Sequence, residues 1–88
     1  MTTDNNTTLD QIIAAHRHSS HHKKELLVSK KCGCFYCLKN FSYNEINEWT
    51  DDNATALCPE CGIDSVIGDA SGYSIEPKFL QAMHNYWF

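Results

Sequence analysis

No run of apolar residues in this 88-residue chain approaches the ~20 needed to cross a bilayer, and the N-terminus lacks the basic-then-apolar order of a secretory signal. The expectation is a soluble, cytoplasmic protein with no membrane contact. Also missing are a nucleophile elbow, a phosphate-binding glycine loop and an H-E-x-x-H helix, so no catalysis is expected and no catalytic residue is assigned. Positive charge is scarce: seven Lys and Arg stand against eleven Asp and Glu. It is also uneven. In residues 1–31 five cations (Arg17, Lys23, Lys24, Lys30 and Lys31) against three acids give +2, whereas in residues 32–88 two cations against eight acids give −6. A phosphate backbone would be repelled over most of such a surface, which disfavours nucleic-acid binding unless the N-terminal segment does it alone.

What the chain does have is cysteine. Five occur, and four of them, Cys34, Cys37, Cys58 and Cys61, form two C-x2-C pairs separated by twenty residues. Each pair can aim two sulfurs at one point, and two pairs complete the tetrahedron that Zn²⁺ accepts from thiolates. In C-P-E-C-G, Pro59 fixes one backbone angle and Gly62 supplies a left-handed residue after the second ligand. The first pair, C-F-Y-C-L-K-N-F, has no such glycine, but Phe41 can pack behind the metal. A reducing cytosol argues for metal before disulfides. A redox C-x2-C would need its first sulfur at a helix N-terminus, and here Pro59 to Gly62 fall between two β-prone runs. One structural zinc ion per chain is therefore expected, although a rubredoxin-like iron site shares the C-P-x-C-G turn. Four protein ligands leave no position for water or substrate. Cys32 reads as a spare buried thiol, with exchange for a neighbouring ligand as the alternative.

A chain this short buries only about 60% of the surface that its unfolded form exposes, so a metal cross-link matters to its folding. The polar start, Met1 to Thr8, is expected to be disordered, and residues 9–88 to form one domain. Leu9, Ile12, Ile13 and His16 share a helical face, which Ser20, Lys23 and Leu27 could extend. Either one helix to about Val28 or two shorter ones, broken near His18 to Ser20, would satisfy this pattern. Ser42 and Glu45 form a capping box and Phe41 and Ile46 a hydrophobic staple, predicting a helix from Tyr43 to about Thr50 that turns Ile46 and Trp49 toward the metal. Thr55–Leu57 and Ile63–Ile67 read as hairpin arms with the metal at their tip, and Gly68–Gly72 as a loop. Pro77 opens a last helix whose stripe is Phe79, Leu80, Met83 and Trp87. Its end, Tyr86-Trp87-Phe88, is expected to face the core, with an exposed anchor for a partner as the other reading. The expected fold is a small α+β zinc-binding domain: two zinc knuckles with a short helix between them, a β-hairpin, and N- and C-terminal helices.

The histidines His16, His18, His21 and His22 form a second constellation. On a helix His18 and His22 are four residues apart and could grip another metal with His84, which would open a metalloenzyme reading; with the neighbouring lysines they could instead form a nucleic-acid strip. The expected function is a zinc-stabilised module that binds another protein, as an adaptor or an inhibitor. Residues 32–68, C-G-C-F-Y-C-L … A-L-C-P-E-C-G-I-D-S-V-I-G, resemble a family of small uncharacterised bacterial cytoplasmic proteins with a zinc-ribbon-like signature. S-G-Y-S-I at Ser71–Ile75 and F-L-Q-A-M-H-N-Y-W-F at Phe79–Phe88 are similar to the C-terminal part of that family, and the helical first arm resembles the His- and Ser-rich first arms found there. The resemblance implies that the four paired cysteines are ligands and implies no activity.

Overall fold

The computed structural model describes residues 8–88; the expected disordered start, apart from Thr8, lies outside them. Thr8 caps helix α1 (Leu9–His16): its hydroxyl accepts from the Gln11 N–H at 3.2 Å, and the Gln11 side chain accepts from the Thr8 N–H at 3.1 Å. One 3-10 turn, Arg17–Ser19, follows, and Ser20 then extends. His21 takes a left-handed φ of 49°, and α2 (Lys23–Leu27) starts in a new direction. The expected break near His18 to Ser20 is present, so the first arm is two short helices. Its buried face differs from the predicted stripe. Ile12 and Ala15 point inward while Leu9 and Ile13 are exposed, and Leu26 is buried in place of Leu27. The turn rotates α2 away from the line of α1, so one periodicity cannot serve both.

Two small antiparallel sheets follow. In the first, β1 (Cys32–Cys34) lies between β2 (Asn40–Phe41) and β5 (Val66–Gly68), with Cys34 opposite Val66 and Cys32 opposite both Phe41 and Gly68. In the second, β3 (Trp49–Thr50) pairs with β4 (Thr55–Ala56). Two expectations are corrected here. The capping box of Ser42 and Glu45 forms, with the Ser42 N–H donating to Glu45 Oε2 at 2.8 Å, but it starts only the single 3-10 turn Tyr43–Glu45. Ile46 is already extended, and Trp49–Thr50 is a strand where a helix was predicted. A capping box stabilises one turn; here the alternative is a tight hairpin, because Asp51, Asp52 and Asn53 all take left-handed φ of 55–70°, a conformation that Asn and Asp tolerate better than most.

The second correction concerns the hairpin around Cys58 and Cys61. Its arms meet only at the turn itself, where the Cys58 N–H donates to the Ile63 carbonyl at 2.9 Å. Beyond that point each arm has another partner: β4 takes β3, and β5 takes β1. The second cysteine turn thus joins the two sheets.

The first sheet separates two apolar clusters. One holds Leu26, Cys32, Cys34, Phe41, Ile46, Ala56, Cys58 and Val66; the other holds Ile12, Ala15, Phe35, Ile67, Phe79, Leu80 and Met83. Alternation along β5 sends Val66 to the first and Ile67 to the second. Gly68 is required where α2 meets this strand, because a Cβ there would collide with the Ser29 side chain. Asp69–Ser71 forms a 3-10 turn within the predicted loop. Helix α3 (Pro77–Trp87) opens on Pro77 as expected and buries Phe79, Leu80 and Met83. Its end is not core-facing: Tyr86 is 49% exposed and Phe88 59%. Trp87 lies on α1, its ring centroid 4.0 Å from that of His16. Among the described residues, no helix is long and apolar enough to cross a membrane.

Candidate metal centre

Cys34 ends β1 and Cys37 closes the turn that follows; Cys58 and Cys61 hold the equivalent places after β4. The two turns are built alike. After the first cysteine of each, the N–H two residues on donates to its sulfur at 3.3 Å: Tyr36 to Cys34 Sγ, Glu60 to Cys58 Sγ. The Leu38 N–H donates to the Cys34 carbonyl at 2.8 Å, and the Gly62 N–H to the Cys58 carbonyl at 2.9 Å. The Cys34 N–H reaches the Lys39 carbonyl at 3.0 Å, as the Cys58 N–H reaches Ile63. Both turns need a left-handed residue after the second cysteine. Gly62 takes φ 80° as expected, and Leu38 takes φ 68° in the position where the first pair lacks a glycine. A left-handed leucine carries a strain on the order of 1–2 kcal/mol. The turn geometry therefore overrides residue preference there.

All four Sγ atoms lie within 4.8 Å of one another, forming a group that could hold a metal ion. Cys34 Sγ is 3.6 Å from Cys61 Sγ, and Cys37 Sγ is 3.7 Å from Cys58 Sγ. A tetrahedron with Zn–S bonds of ~2.3 Å has edges of about 3.8 Å, so these contacts match the size of the expected polyhedron. None of the five cysteines is in a disulfide. Cys34 and Cys58 are buried, and Cys37 and Cys61 half-buried, so the group lies at the edge of its apolar cluster.

Electrostatics within the group are unequal. Burial opposes ionisation of Cys34, but the Ser65 hydroxyl at 3.0 Å, the Cys37 and Tyr36 N–H groups and the Cys61 thiol together hold its pKa below the ordinary thiol value. Ser65, itself buried, carried no signal in the cysteine spacing. Burial pushes Cys37 up to about 11, and the charge on Cys34 adds to this; burial likewise raises Cys61, helped by its contact with Cys34. One sulfur thus ionises readily and two resist without a cation to compensate them. Phe41 and Ile46 are buried in the same cluster, and Trp49 packs on it, as anticipated for all three despite the missing helix.

The other sequence candidates lie elsewhere. Cys32 is buried within β1, its thiol pushed up to about 11 by burial and by Asp69, and it is outside the four-sulfur group. The histidines do not converge. His22 is a buried cross-link: its Nε2 accepts from the Ala56 N–H at 2.9 Å, so the proton is on Nδ1, which donates to the His18 carbonyl at 2.6 Å. Both ring nitrogens are occupied by backbone. His18 Nδ1 contacts Glu25 at 2.9 Å, His16 stacks on Trp87, and His84 Nδ1 donates to the Phe35 carbonyl at 3.2 Å. Among the described residues, the four cysteines are the group placed to hold a metal. Comparison of the chain with family models, with curated proteins and with solved structures gave no match.

Proposed function

We propose that Cys34, Cys37, Cys58 and Cys61 hold one structural Zn²⁺ between two facing zinc knuckles, and that the stabilised chain binds another protein as an adaptor or inhibitor. The observation that carries the metal reading is the packing of four sulfurs from two like turns within 4.8 Å. Four soft ligands in a tetrahedral set suit zinc, and iron shares them; elemental analysis separates the two. When bound, the ion supplies a cross-link and, with its shell complete, no position for a substrate. Three N–H groups aimed at Cys34 and Cys58 and the Ser65 hydroxyl are ready to stabilise thiolate.

Support for a protein partner comes from an exposed aromatic face beside the first turn. Tyr36, 43% exposed and placed between Cys34 and Cys37, meets Phe88 edge-to-face at 4.8 Å, and Tyr86 and Trp87 continue the surface. Exposed Tyr and Trp are the side chains that most often anchor protein interfaces. The net −6 charge of residues 32–88 as a whole disfavours a polyanionic partner for this part of the chain. Affinity capture from a lysate of the producing cells should recover a partner with the unaltered chain and with Lys23→Ala/Lys24→Ala, and lose it with Tyr36→Ser/Phe88→Ser. Capture that ignores the aromatic pair, or that vanishes with nuclease, contradicts the proposal.

A further inference from the structure

We propose that the cleft between residues 17–25 and the tip of the β3–β4 hairpin is a binding site for a small phosphate-bearing molecule, with Arg17, Lys23 and Lys24 as its cationic contacts. It shares no lining residue with the aromatic face, has a volume of about 600 Å³, and is bounded on the far side by Asp52, Asn53 and Ala54. That volume is in the range of small-molecule sites.

Charge selects the ligand class. Among the described residues the one ion pair is His18 with Glu25, so Arg17, Lys23 and Lys24 have no acidic partner, and Glu25 is engaged. Three cations against Glu25 and Asp52 leave the lining at +1 before any histidine is counted, on a chain whose residues 32–88 sum to −6. A long polyanion would leave the cleft and meet that acidic surface; a compact one would not. Arg offers a planar fork for a phosphate and Lys a point charge, which together suit a phosphomonoester. Lys23 is additionally held over the Trp49 ring, 5.2 Å from its centroid.

The walls are built rather than loose. The His22 and Lys23 N–H groups both donate to the Ala54 carbonyl, at 2.8 and 3.2 Å, and the His21 N–H donates to the Thr55 hydroxyl at 2.8 Å. The His22 ring ties the same two segments from beneath. Among the described residues five non-glycines take left-handed φ, and three of them, His21, Asp52 and Asn53, line this cleft. Such conformations gather at ligand clamps, where surrounding bonds hold them. Asn, Asp and His adopt them more readily than other side chains, so the hydrogen bonds that tie His21 to Thr55 and His22 to Ala54 are what fix these walls.

The test is amide chemical-shift titration of the zinc-loaded full chain at low salt, with AMP as the phosphomonoester and adenosine and inorganic phosphate as controls. The expected result is saturable movement of amides in residues 20–25 and 52–54, with Tyr36 and Phe88 unmoved. AMP should bind more tightly than either control. Arg17→Ala and Lys24→Ala, both at exposed positions, should each weaken AMP on the order of tenfold with the rest of the spectrum retained. Absence of saturation, equal binding of adenosine, or unchanged affinity in both variants overturns the proposal. So does a single-stranded oligonucleotide that binds the same amides more tightly with a steep salt slope, which would make the cleft part of a nucleic-acid surface.

Discussion

At the residue scale, Gly62 and His22 show how single positions hold the fold in shape. Gly62 has φ 80°, and a Cβ there would meet nothing within 4 Å, so Gly62→Ala isolates backbone strain from packing. Stability should fall by about 1 kcal/mol or more, measured by denaturant unfolding of the metal-loaded chain. His22 is neutral because burial lowers its pKa from 6.5 and because Nε2 must accept the Ala56 N–H. The unfolded chain takes up a proton below 6.5 that the folded chain refuses. Stability from this residue is therefore complete above pH 6.5 and lost as pH falls from there toward its lower folded value. Ring nitrogen shifts should report the Nδ1–H form at neutral pH and a titration midpoint below 6.5; a midpoint at or above 6.5 contradicts this account.

At the element scale, local signals and distant pairings carried different weight. Gly62, Pro77 and the Ser42–Glu45 box were legible in the sequence, since each acts over three or four residues. The helix predicted beyond Glu45 lost to a hairpin, because pairing Trp49 with Ala56 and Thr50 with Thr55 depends on a left-handed turn that propensity alone underweights. The partner of Val66–Gly68 was invisible because it lies some thirty residues earlier, at Cys32–Cys34. The cleft was hidden for the same reason: His21 meets Thr55 across 34 positions. Thr55 is the joint of these elements. Its buried hydroxyl accepts from the His21 N–H and donates to Asp51 Oδ2, both at 2.8 Å. Thr55→Val should cost about 1–3 kcal/mol by stranding that N–H, and should speed hydrogen exchange at His21. Unchanged exchange would show that the joint is dispensable.

At the scale of the whole molecule, the described residues form two small sheets and three short helices, with α2 packed in the cluster that holds the four sulfurs and α1 and α3 in the other. Neither apolar cluster is large, and the cysteines themselves form part of one of them. Chelation should unfold most of the chain, because a structural zinc contributes on the order of 10 kcal/mol to folding, as much as the usual net stability of a domain. Loading must also expel the protons that burial keeps on Cys37 and Cys61. Affinity should fall steeply as pH drops, with proton release visible in calorimetry performed in buffers of different ionisation enthalpy. The measurement that tests the central claim most directly is X-ray absorption at the metal edge of the purified native chain. The account predicts one zinc per chain with four sulfur neighbours at about 2.3 Å. Nitrogen or oxygen in the first shell, fewer than four sulfurs, or a folded chain without metal would contradict it.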